Sequence, residues 1–251
     1  MSNLEGNPFT FPEVQTLLEG ITVGGHKVSD EQQIYDLKNG WSYLFDLVQK
    51  NRFQLNQDTF NCINYKVAVN ETLVSGQFRD SQVRINGTEY IPPKAEELES
   101  VFLDELPEII GRHKTKTELA LEIFLFVALN QFYYDGNKRT GRLLANGILL
   151  SNGQGVLNIK AKDKLEFNTL MIEFYNTKNA DNICDFLYNK CLERYQESML
   201  RYQPPSLILR IKSNEKWLKK NFSPPLSHSI IYNIDLLIHL CIQNIRLNSL
   251  Y

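Results

Sequence analysis

The sequence predicts an all-α protein that carries one β-hairpin and an extra C-terminal helical segment. Helix-capping residues precede several stretches in which apolar residues recur at helical spacing. The run Leu119 to Leu129 is apolar on nearly every face, which indicates a helix buried on all sides at the centre of the fold. With 251 residues, 43% of them hydrophobic, the chain is long enough to form one domain with an appendage.

The first helices follow from local capping signals. Thr10-Phe11-Pro12-Glu13 places a threonine N-cap before a first-turn proline, with a glutamate three residues after the cap, and Gly20 ends the predicted helix. The stretch from Ser29 to Gln32 repeats this pattern and predicts a second helix. The stretch from Thr115 to Glu118 forms a further capping box directly before the apolar run.

The segment from Ser81 to Ile91 predicts the hairpin, because two short β-favouring stretches flank Asn86-Gly87, a pair typical of type I′ turns. A single hairpin cannot form a sheet on its own, so we expect it at the surface with a free edge. Further helices are predicted near residues 139–152, 165–175, 182–203 and 230–247.

The composition argues against several functions and locations. The formal net charge of -2 gives no global field that would attract nucleic acid or an acidic membrane surface. The N-terminal residues lack a signal peptide pattern, and the apolar stretch from Ile230 to Ile242 is too short to span a bilayer. The four cysteines form no CxxC pair, and we expect Cys184 and Cys191 to pack in the core. We therefore expect a cytoplasmic protein that binds neither nucleic acid nor membranes.

The stretch that joins the buried helix to the next one, residues 130–142, contains the residues most indicative of chemistry. Gly136 and Asn137 both tolerate positive φ, so their backbone N–H groups can turn toward an anion at the N-terminus of the following helix. Arg139 and Arg142 share a face in the first turn, where the helix dipole already disfavours positive charge. We expect phosphate to be the anion.

Asp135 directly precedes this anion site. Its carboxylate would repel phosphate oxygens unless a metal ion bridged them, so we interpret Asp135 as a ligand of Mg²⁺. Lys138 adds a further cation to this stretch. The alternative is a capped loop in which Asp135 is an N-cap and the arginines are solvated or paired with surface acids.

This stretch resembles the signature of the Fic family, His-x-Phe-x-Asp/Glu-Gly-Asn-Gly/Lys-Arg-x-x-Arg, with Asp135-Gly136-Asn137-Lys138-Arg139 and Arg142 matching. Gln131 stands at the histidine position and Tyr133 at the phenylalanine position. The resemblance implies a Fic-type helical bundle. Its domains are an N-terminal inhibitory helix region (1–28), a Fic core (29–203) with a flap hairpin (81–93), and a C-terminal helical appendage (204–251).

The resemblance also implies an activity and its partners. Fic proteins that resemble this chain transfer AMP from Mg-ATP to a hydroxyl of a target protein, and the related Doc proteins phosphorylate instead. The implied ligands are therefore ATP at Gly136 to Arg139 and at Arg142, Mg²⁺ at Asp135, and a target protein docked at the flap by strand addition. Tyr175 and Asn146 are candidates for the base pocket, with packing as the alternative for both. The oligomeric state stays open.

The substitution at Gln131 touches the chemistry that the resemblance implies. In the family mechanism the histidine removes the proton of the attacking hydroxyl. An amide has no proton-accepting state near neutral pH, so Gln131 can only orient a hydroxyl. None of the four histidines lies in the loop or beside it in sequence. Two hypotheses follow, namely a transferase with an impaired chemical step and a nucleotide-binding module without catalysis.

The stretch from Gln15 to Gly20 resembles the inhibitory helix of the family, Ser/Thr-x-x-x-Glu-Gly/Asn, with the hydroxyl displaced to Thr16. By this resemblance Glu19 is the inhibitory residue. It is expected to pair with Arg142 and to block productive binding of the γ-phosphate. Auto-inhibition is therefore part of the prediction.

Overall fold

Helix α5, Lys116–Asn130, forms the centre of the fold in this computed structural model, which describes residues 6–113 and 115–194. Thr115 caps the helix as predicted, because its hydroxyl accepts from the Glu118 N–H while the Glu118 carboxylate accepts from the Thr115 N–H, each at 3.2 Å. The apolar side chains of α5 are buried on all faces, which confirms the prediction from the sequence.

The other helices of the core contribute buried side chains to the same apolar cluster as α5, and α6 is buried along nearly its whole length. They are α2 (Val28–Gln49), α3 (Gln57–Ala68), α4 (Leu98–Arg112), α6 (Asn137–Ser151), α7 (Lys164–Thr177) and α8 (Asp181–Phe186). The most extensive contact is between α5 and α6, and α3 packs against both α2 and α6. The predicted all-α architecture is confirmed.

Helix α1, Phe11–Leu18, lies at the N-terminus and begins with the predicted capping box of Thr10 and Glu13. Its buried Leu17 packs with Phe9 and Ile34 in a small apolar cluster separate from the main core. We call this set of three residues the N-terminal cluster. α1 is therefore attached to α2 by few side chains.

Two helix starts differ from the prediction. α2 begins at Val28 with Lys27 as N-cap, and not at the predicted stretch from Ser29 to Gln32. Asp30 and Glu31 lie in its first turn, where they compensate the helix dipole without a capping side chain. α6 begins two residues before the predicted Arg139, because Gly136 supplies a left-handed N-cap. Helix α3 was not predicted, although its N-cap Asn56 accepts from the Thr59 N–H at 2.9 Å.

The flap segment, residues 81–93, does not form the predicted β-hairpin. The Asn86-Gly87 turn is present, with Gly87 at φ 85°, but neither arm forms a strand and no backbone hydrogen bonds join the two. The Gln82 side-chain amide donates to Pro92 O at 2.9 Å, in place of a cross-strand backbone bond. In the second arm the Tyr90 N–H donates to Thr88 Oγ1 at 3.0 Å, so it does not bond the first arm.

The helix predicted over residues 182–203 is shorter in the structure. α8 continues as a π-helical turn, Leu187–Cys191, and then gives way to a two-residue strand. This strand, β2 (Leu192–Glu193), pairs antiparallel with β1 (Val156–Leu157). Backbone pairing with β1 replaces the helical hydrogen bonds that the sequence pattern predicted. Cys191 is buried and Cys184 is partly buried, as expected for packing residues.

The chain divides into two units, Met1–Glu193 and Arg194–Tyr251, and every element above belongs to the first. The predicted appendage, residues 204–251, lies outside the described residues, and the domain boundaries predicted at residues 28 and 203 stay predictions. Among the helices of the described part, none is long and apolar enough to cross a membrane.

Candidate functional site

The candidate site is the motif loop, residues 131–142, which comprises the turn between α5 and α6 and the first turns of α6. Gln131 ends α5 in the left-handed conformation, with φ 48° and ψ 55°. Its side-chain Nε2 donates to Ala128 O at 2.6 Å, and its Oε1 accepts from Asn137 Nδ2 at 3.2 Å. Both ends of the Gln131 amide are therefore bonded within the loop and its preceding helix.

Asn137 holds the motif loop from inside. Its buried Oδ1 accepts from the Tyr133 N–H at 3.0 Å, and its Nδ2 donates to Tyr133 O at 2.7 Å. Tyr133 is 1% exposed, and its hydroxyl donates to Asn61 Oδ1 on α3 at 2.9 Å. Burial raises the pKa of the Tyr133 phenol well above its usual value, so the phenol remains a neutral donor. Asn137 thus shapes the loop, and its contact with phosphate stays a prediction.

Helix α3 supports the loop at Gly136. Gly136 has φ 75°, and a Cβ at this position would lie 2.9 Å from Ala68 Cβ. Beside it, Asn64 Nδ2 donates to Asp135 O at 2.9 Å and to Thr140 Oγ1 at 3.2 Å. The predicted positive φ is confirmed at Gly136, whereas Asn137 is already helical. Only glycine satisfies both the φ angle and the close approach to α3.

Asp135 lies at the exposed rim of the loop, and Lys138 is partly buried in the first turn of α6. Asp135 Oδ1 accepts from the Gly136 N–H and from Arg139 Nη2, and 52% of the Asp135 side chain is exposed. A lone exposed carboxylate fits Mg²⁺, which commonly takes one or two protein carboxylates together with phosphate oxygens and water. The described residues contain no group of three or more His, Cys, Asp or Glu that could hold a metal by itself.

Arg139 is bound inside the protein. Its side chain is 2% exposed, and Nη1 donates to Val67 O at 2.7 Å. Both terminal nitrogens bond the Glu71 carboxylate, with Nη2 at 2.6 Å from Oε2. This forked pairing is the strong form of an arginine–carboxylate contact. The predicted contact of Arg139 with phosphate would require this pair to open, and the contact with Asp135 matches the capped-loop alternative.

The structure does not bring Glu19 to Arg142. Glu19 is exposed and its Oε1 accepts from Gln15 Nε2 at 3.2 Å, whereas Arg142 is buried, with 1% exposure. Within the described part of the chain no ion pair joins these two residues. The hydroxyl of Thr16 donates to Pro12 O at 2.9 Å. The predicted pair is not formed here, because α1 packs on α2 through its apolar face and the Glu19 side chain at the end of α1 lies in solvent. The inhibitory role of Glu19 stays a prediction.

The base-pocket candidates both act as packing residues. Asn146 is fully buried, where its Nδ2 donates to Arg142 O at 2.9 Å and its Oδ1 accepts from the Leu157 N–H at 2.7 Å. Tyr175 is 3% exposed and its ring stacks on Tyr90 of the flap segment, with ring centroids 6.2 Å apart. Asn146 therefore joins α6 to β1, and Tyr175 supports the flap.

Neither described histidine substitutes for the missing one. His26 stacks on Phe9 beside the N-terminal cluster, and His113 contacts Glu122 where α4 leads into α5. Both have partners away from Gln131. The two other histidines, His228 and His239, lie outside the described residues.

Arg79 is the residue of this region that the sequence did not single out as functional. It is 2% exposed, and its Nε donates to Gln131 O at 2.7 Å. Its backbone N–H donates to Phe132 O at 2.9 Å. Its partners in the motif loop are distant in sequence, so no local spacing pattern could have identified it. The structure therefore adds Arg79 to the site.

Part of the chain is similar in sequence to a known protein family. The Fic/DOC family model matches residues 53–149, which contain α3 to α5, the flap segment and most of α6. The chain is 27% identical over 208 residues to "Protein adenylyltransferase Fic" of Nematostella vectensis, covering 78% of this chain and 46% of that protein. It is 27% identical over 201 residues to the Aedes aegypti protein of the same name, covering 76% and 38%. The chain thus spans less than half the length of these curated relatives.

Solved structures agree on the fold. Fic-1 from C. elegans superposes with a TM-score of 0.66 at 17% identity, covering 84% of this chain and 61% of that one. A Fic domain containing signaling protein from Bacteroides thetaiotaomicron gives 0.62 at 21% identity, covering 75% and 78%. The motif in the loop, the family match and the shared fold agree, which confirms the resemblance found in the sequence. Residues 53–149 of the chain thus match the Fic/DOC family, and the fold is that of solved Fic proteins.

Proposed function

We propose that this chain is a Fic-type transferase that moves AMP from Mg-ATP to a hydroxyl of a protein, with a slow chemical step. The observation that carries the proposal is the backbone of the motif loop. Gly136 is in the left-handed conformation at the start of α6, and the hydrogen bond from Asn64 of α3 to Asp135 O stabilises the loop at this point. Relatives named protein adenylyltransferase support the reaction class.

The loop offers phosphate the positive end of a helix dipole. Gly136 has no side chain to cap α6, and the first turn of α6 contains no acidic residue. Lys138 lies in that turn, next to the anion site. Asp135 would hold Mg²⁺ together with phosphate oxygens, and the ion would supply charge neutralisation there. Arg139 would add positive charge to the site only if its pairs with Glu71 and Asp135 opened.

The missing base explains why we expect the chemical step to be slow. General-base assistance is typically worth about 10²–10⁴ in rate, and a Gln131 amide supplies none. Transfer at phosphorus passes through a loose transition state in most analyses, so positioning and charge stabilisation provide most of the catalysis. Transfer without a base at Gln131 is therefore slow and not abolished under this proposal.

A second function has one observation in its favour. The Gln131 amide bonds Ala128 O on one side and Asn137 on the other, which makes it part of the loop framework. A residue used in this way does not need to orient an acceptor hydroxyl. The alternative is a nucleotide-binding Fic module without catalysis that acts through the flap segment or through a partner.

Two finer elements of the proposal concern regulation and the target. Auto-inhibition by Glu19 would need α1 to leave its site on α2 and approach Arg142. The N-terminal cluster is small enough for such a movement, since few side chains attach α1. The target protein would dock as an extended strand along the flap segment, whose arms are largely exposed and not paired with each other.

The test separates nucleotide binding from transfer. Mg-ATP binding is measured by calorimetry, and transfer is measured by auto-modification with α-labelled ATP for wild type, Gln131→His and Gln131→Asn. Histidine and asparagine both tolerate the left-handed conformation, but only histidine can accept a proton. We expect similar affinities in all three and a labelling rate that rises by about 10²–10⁴ in Gln131→His alone.

Each contrary result of this test contradicts a different part of the proposal. If wild-type protein does not bind Mg-ATP at millimolar concentration, the phosphate site itself is wrong. If all three proteins bind and Gln131→His does not label, the non-catalytic module is the better description. Rapid labelling by wild type would show that the loop transfers without a histidine and that the chemical step is not slow.

A further inference from the structure

Arg79 contacts two separate segments of the site with one guanidinium. It precedes the flap segment in sequence and reaches the C-terminal end of α5 in space. Its Nε and backbone N–H donate to the consecutive carbonyls of Gln131 and Phe132. Its Nη1 donates to Ser81 O at 2.7 Å, and its Nη2 donates to Pro93 O at 2.5 Å. The last two carbonyls are the two ends of the flap segment.

The contact with the motif loop lies next to Gln131, which has the least favourable backbone conformation in that loop. Gln131 has positive φ, a state that costs a non-glycine residue about 1–2 kcal/mol. The two bonds from Arg79 fix the carbonyls of Gln131 and Phe132, which belong to the peptide groups on either side of Phe132. They therefore stabilise the turn that directs the chain from α5 toward Gly136.

The contact with the flap segment takes the place of a β-ladder. The arms of residues 81–93 are not paired by backbone bonds, so their ends need another constraint to stay together. Arg79 bonds both ends, and the Gln82 amide adds a bond to Pro92 O. The base of the flap is thus closed by side chains.

The contacts made by the side chain at position 79 require an arginine and not another cation. Within the described residues no carboxylate lies within ion-pair distance of Arg79, so main-chain carbonyls alone solvate its charge. Burial of the cation disfavours its charged form, which lowers the pKa of the guanidinium. A planar fork has donors on several edges and can reach three carbonyls, whereas a lysine ammonium is a compact point charge.

We propose that Arg79 is a positioning residue that couples the conformations of the motif loop and the flap segment. A ligand at either segment then changes the stability of the other, and the effect is reciprocal. The role in nucleotide binding rests on the proposed function. The structural coupling itself does not, so the two can be tested separately.

The first experiment measures amide hydrogen exchange in the protein without ligand. The variants are Arg79→Met, Arg79→Lys and the control Arg84→Met, which removes an exposed arginine from the same segment. For Arg79→Met we expect roughly tenfold faster exchange at the Tyr90 amide of the flap segment, which donates to Thr88 Oγ1, and in residues 131–136, with α5 still protected. Arg84→Met should exchange like wild type.

Arg79→Lys keeps the charge and supplies a more conservative test where methionine prevents folding. We expect the amides of both segments to exchange faster in Arg79→Lys than in wild type, because an ammonium cannot bond both ends of the flap and the loop together. Full protection of both segments in Arg79→Lys would overturn the proposal, as would faster exchange in only one segment. Uniform loss of protection that includes α5 in both variants would show a purely global stabilising role and would overturn it too.

The second experiment adds Mg-ATP to wild type and to Arg79→Lys. If the wild type binds, we expect slower exchange in the flap segment as well as in the motif loop, and loss of the flap effect in the variant. Slower exchange of the wild-type flap that persists in the variant would overturn the coupling. A wild type that does not bind Mg-ATP would contradict the proposed function, and the coupling would then be decided by the first experiment.

Discussion

The motif loop and helix α1 both have strong local sequence signals, but they are held in different ways. α1 depends on its own first turn, where Glu13 Oε2 accepts from the Thr10 N–H and the Thr10 hydroxyl, each at 2.7 Å. Beyond that it depends on the N-terminal cluster around Leu17. The motif loop depends on partners that are 52 to 71 residues away, namely Arg79, Glu71 and Asn64.

This difference shows that a local sequence signal determines the backbone conformation of a segment but not its distant partners. Both segments have the backbone that their residues predict, with a helix at Thr10 and a left-handed turn at Gly136. The predicted contact between them, from Glu19 to Arg142, is absent, because neither residue type specifies a partner. Long-range contacts depend on which helix lies underneath, and α3 was the helix that the sequence analysis missed.

The largest effect should come from Gly136→Ala in the motif loop. The added Cβ would lie 2.9 Å from Ala68 Cβ and 3.2 Å from Asn64 Nδ2, at a φ of 75°. We expect a loss of about 2–4 kcal/mol in the free energy of unfolding, measured by denaturant titration. Gly153→Ala is the matched control, since its φ is 63° and a Cβ there meets nothing within 4 Å. Equal losses would show that α3 does not constrain the loop.

The parts of the fold that could be predicted are those with short-range causes. The capping boxes at Thr10 and Thr115 and the turn at Asn86-Gly87 are all present. The flap arms do not pair although the turn forms, because side chains take the place of cross-strand bonds: Thr88 Oγ1 accepts from the Tyr90 N–H and Gln82 Nε2 donates to Pro92 O. The roles of Glu71 and Arg79 could not be predicted, because each depends on a fold contact that no local spacing encodes.

A smaller effect should come from Glu71→Gln, which tests whether an acid beneath the loop is needed. The change removes the charge that both terminal nitrogens of buried Arg139 bond, while the contact with Val67 O remains. Glu71 is 23% exposed at its side chain, so solvent compensates part of the loss, and we expect about 1–3 kcal/mol. Denaturant titration and calorimetry with Mg-ATP measure stability and affinity together.

The affinity measurement decides what the pair does for the site. We expect weaker binding of Mg-ATP, because Arg139 loses the partner that positions it beneath the loop. Stronger binding would show that Glu71 competes with phosphate for Arg139, in which case the loop would be restrained by an internal anion. Glu166→Gln, which breaks the exposed pair with Lys190, is the control and should leave stability unchanged within error.

The smallest effect should be a pH response confined to α1. Hydrogen bonds from the Thr10 hydroxyl and backbone, with a further contact from His26, lower the pKa of the Glu13 carboxyl from its usual value of 4.5 to about 2. A depressed pKa in the folded state means that the contribution is complete above pH 4.5 and is lost as the pH falls through about 2. We therefore expect the Thr10 amide to become less protected between these values, while Leu17 keeps α1 attached to α2. Nuclear magnetic resonance of the Thr10 amide follows this change, and Glu13→Gln is the control, because glutamine retains the acceptor of the capping box but does not titrate. If the Thr10 amide of the variant titrates as in wild type, the capping box is not the cause, and α1 would depend on the N-terminal cluster alone.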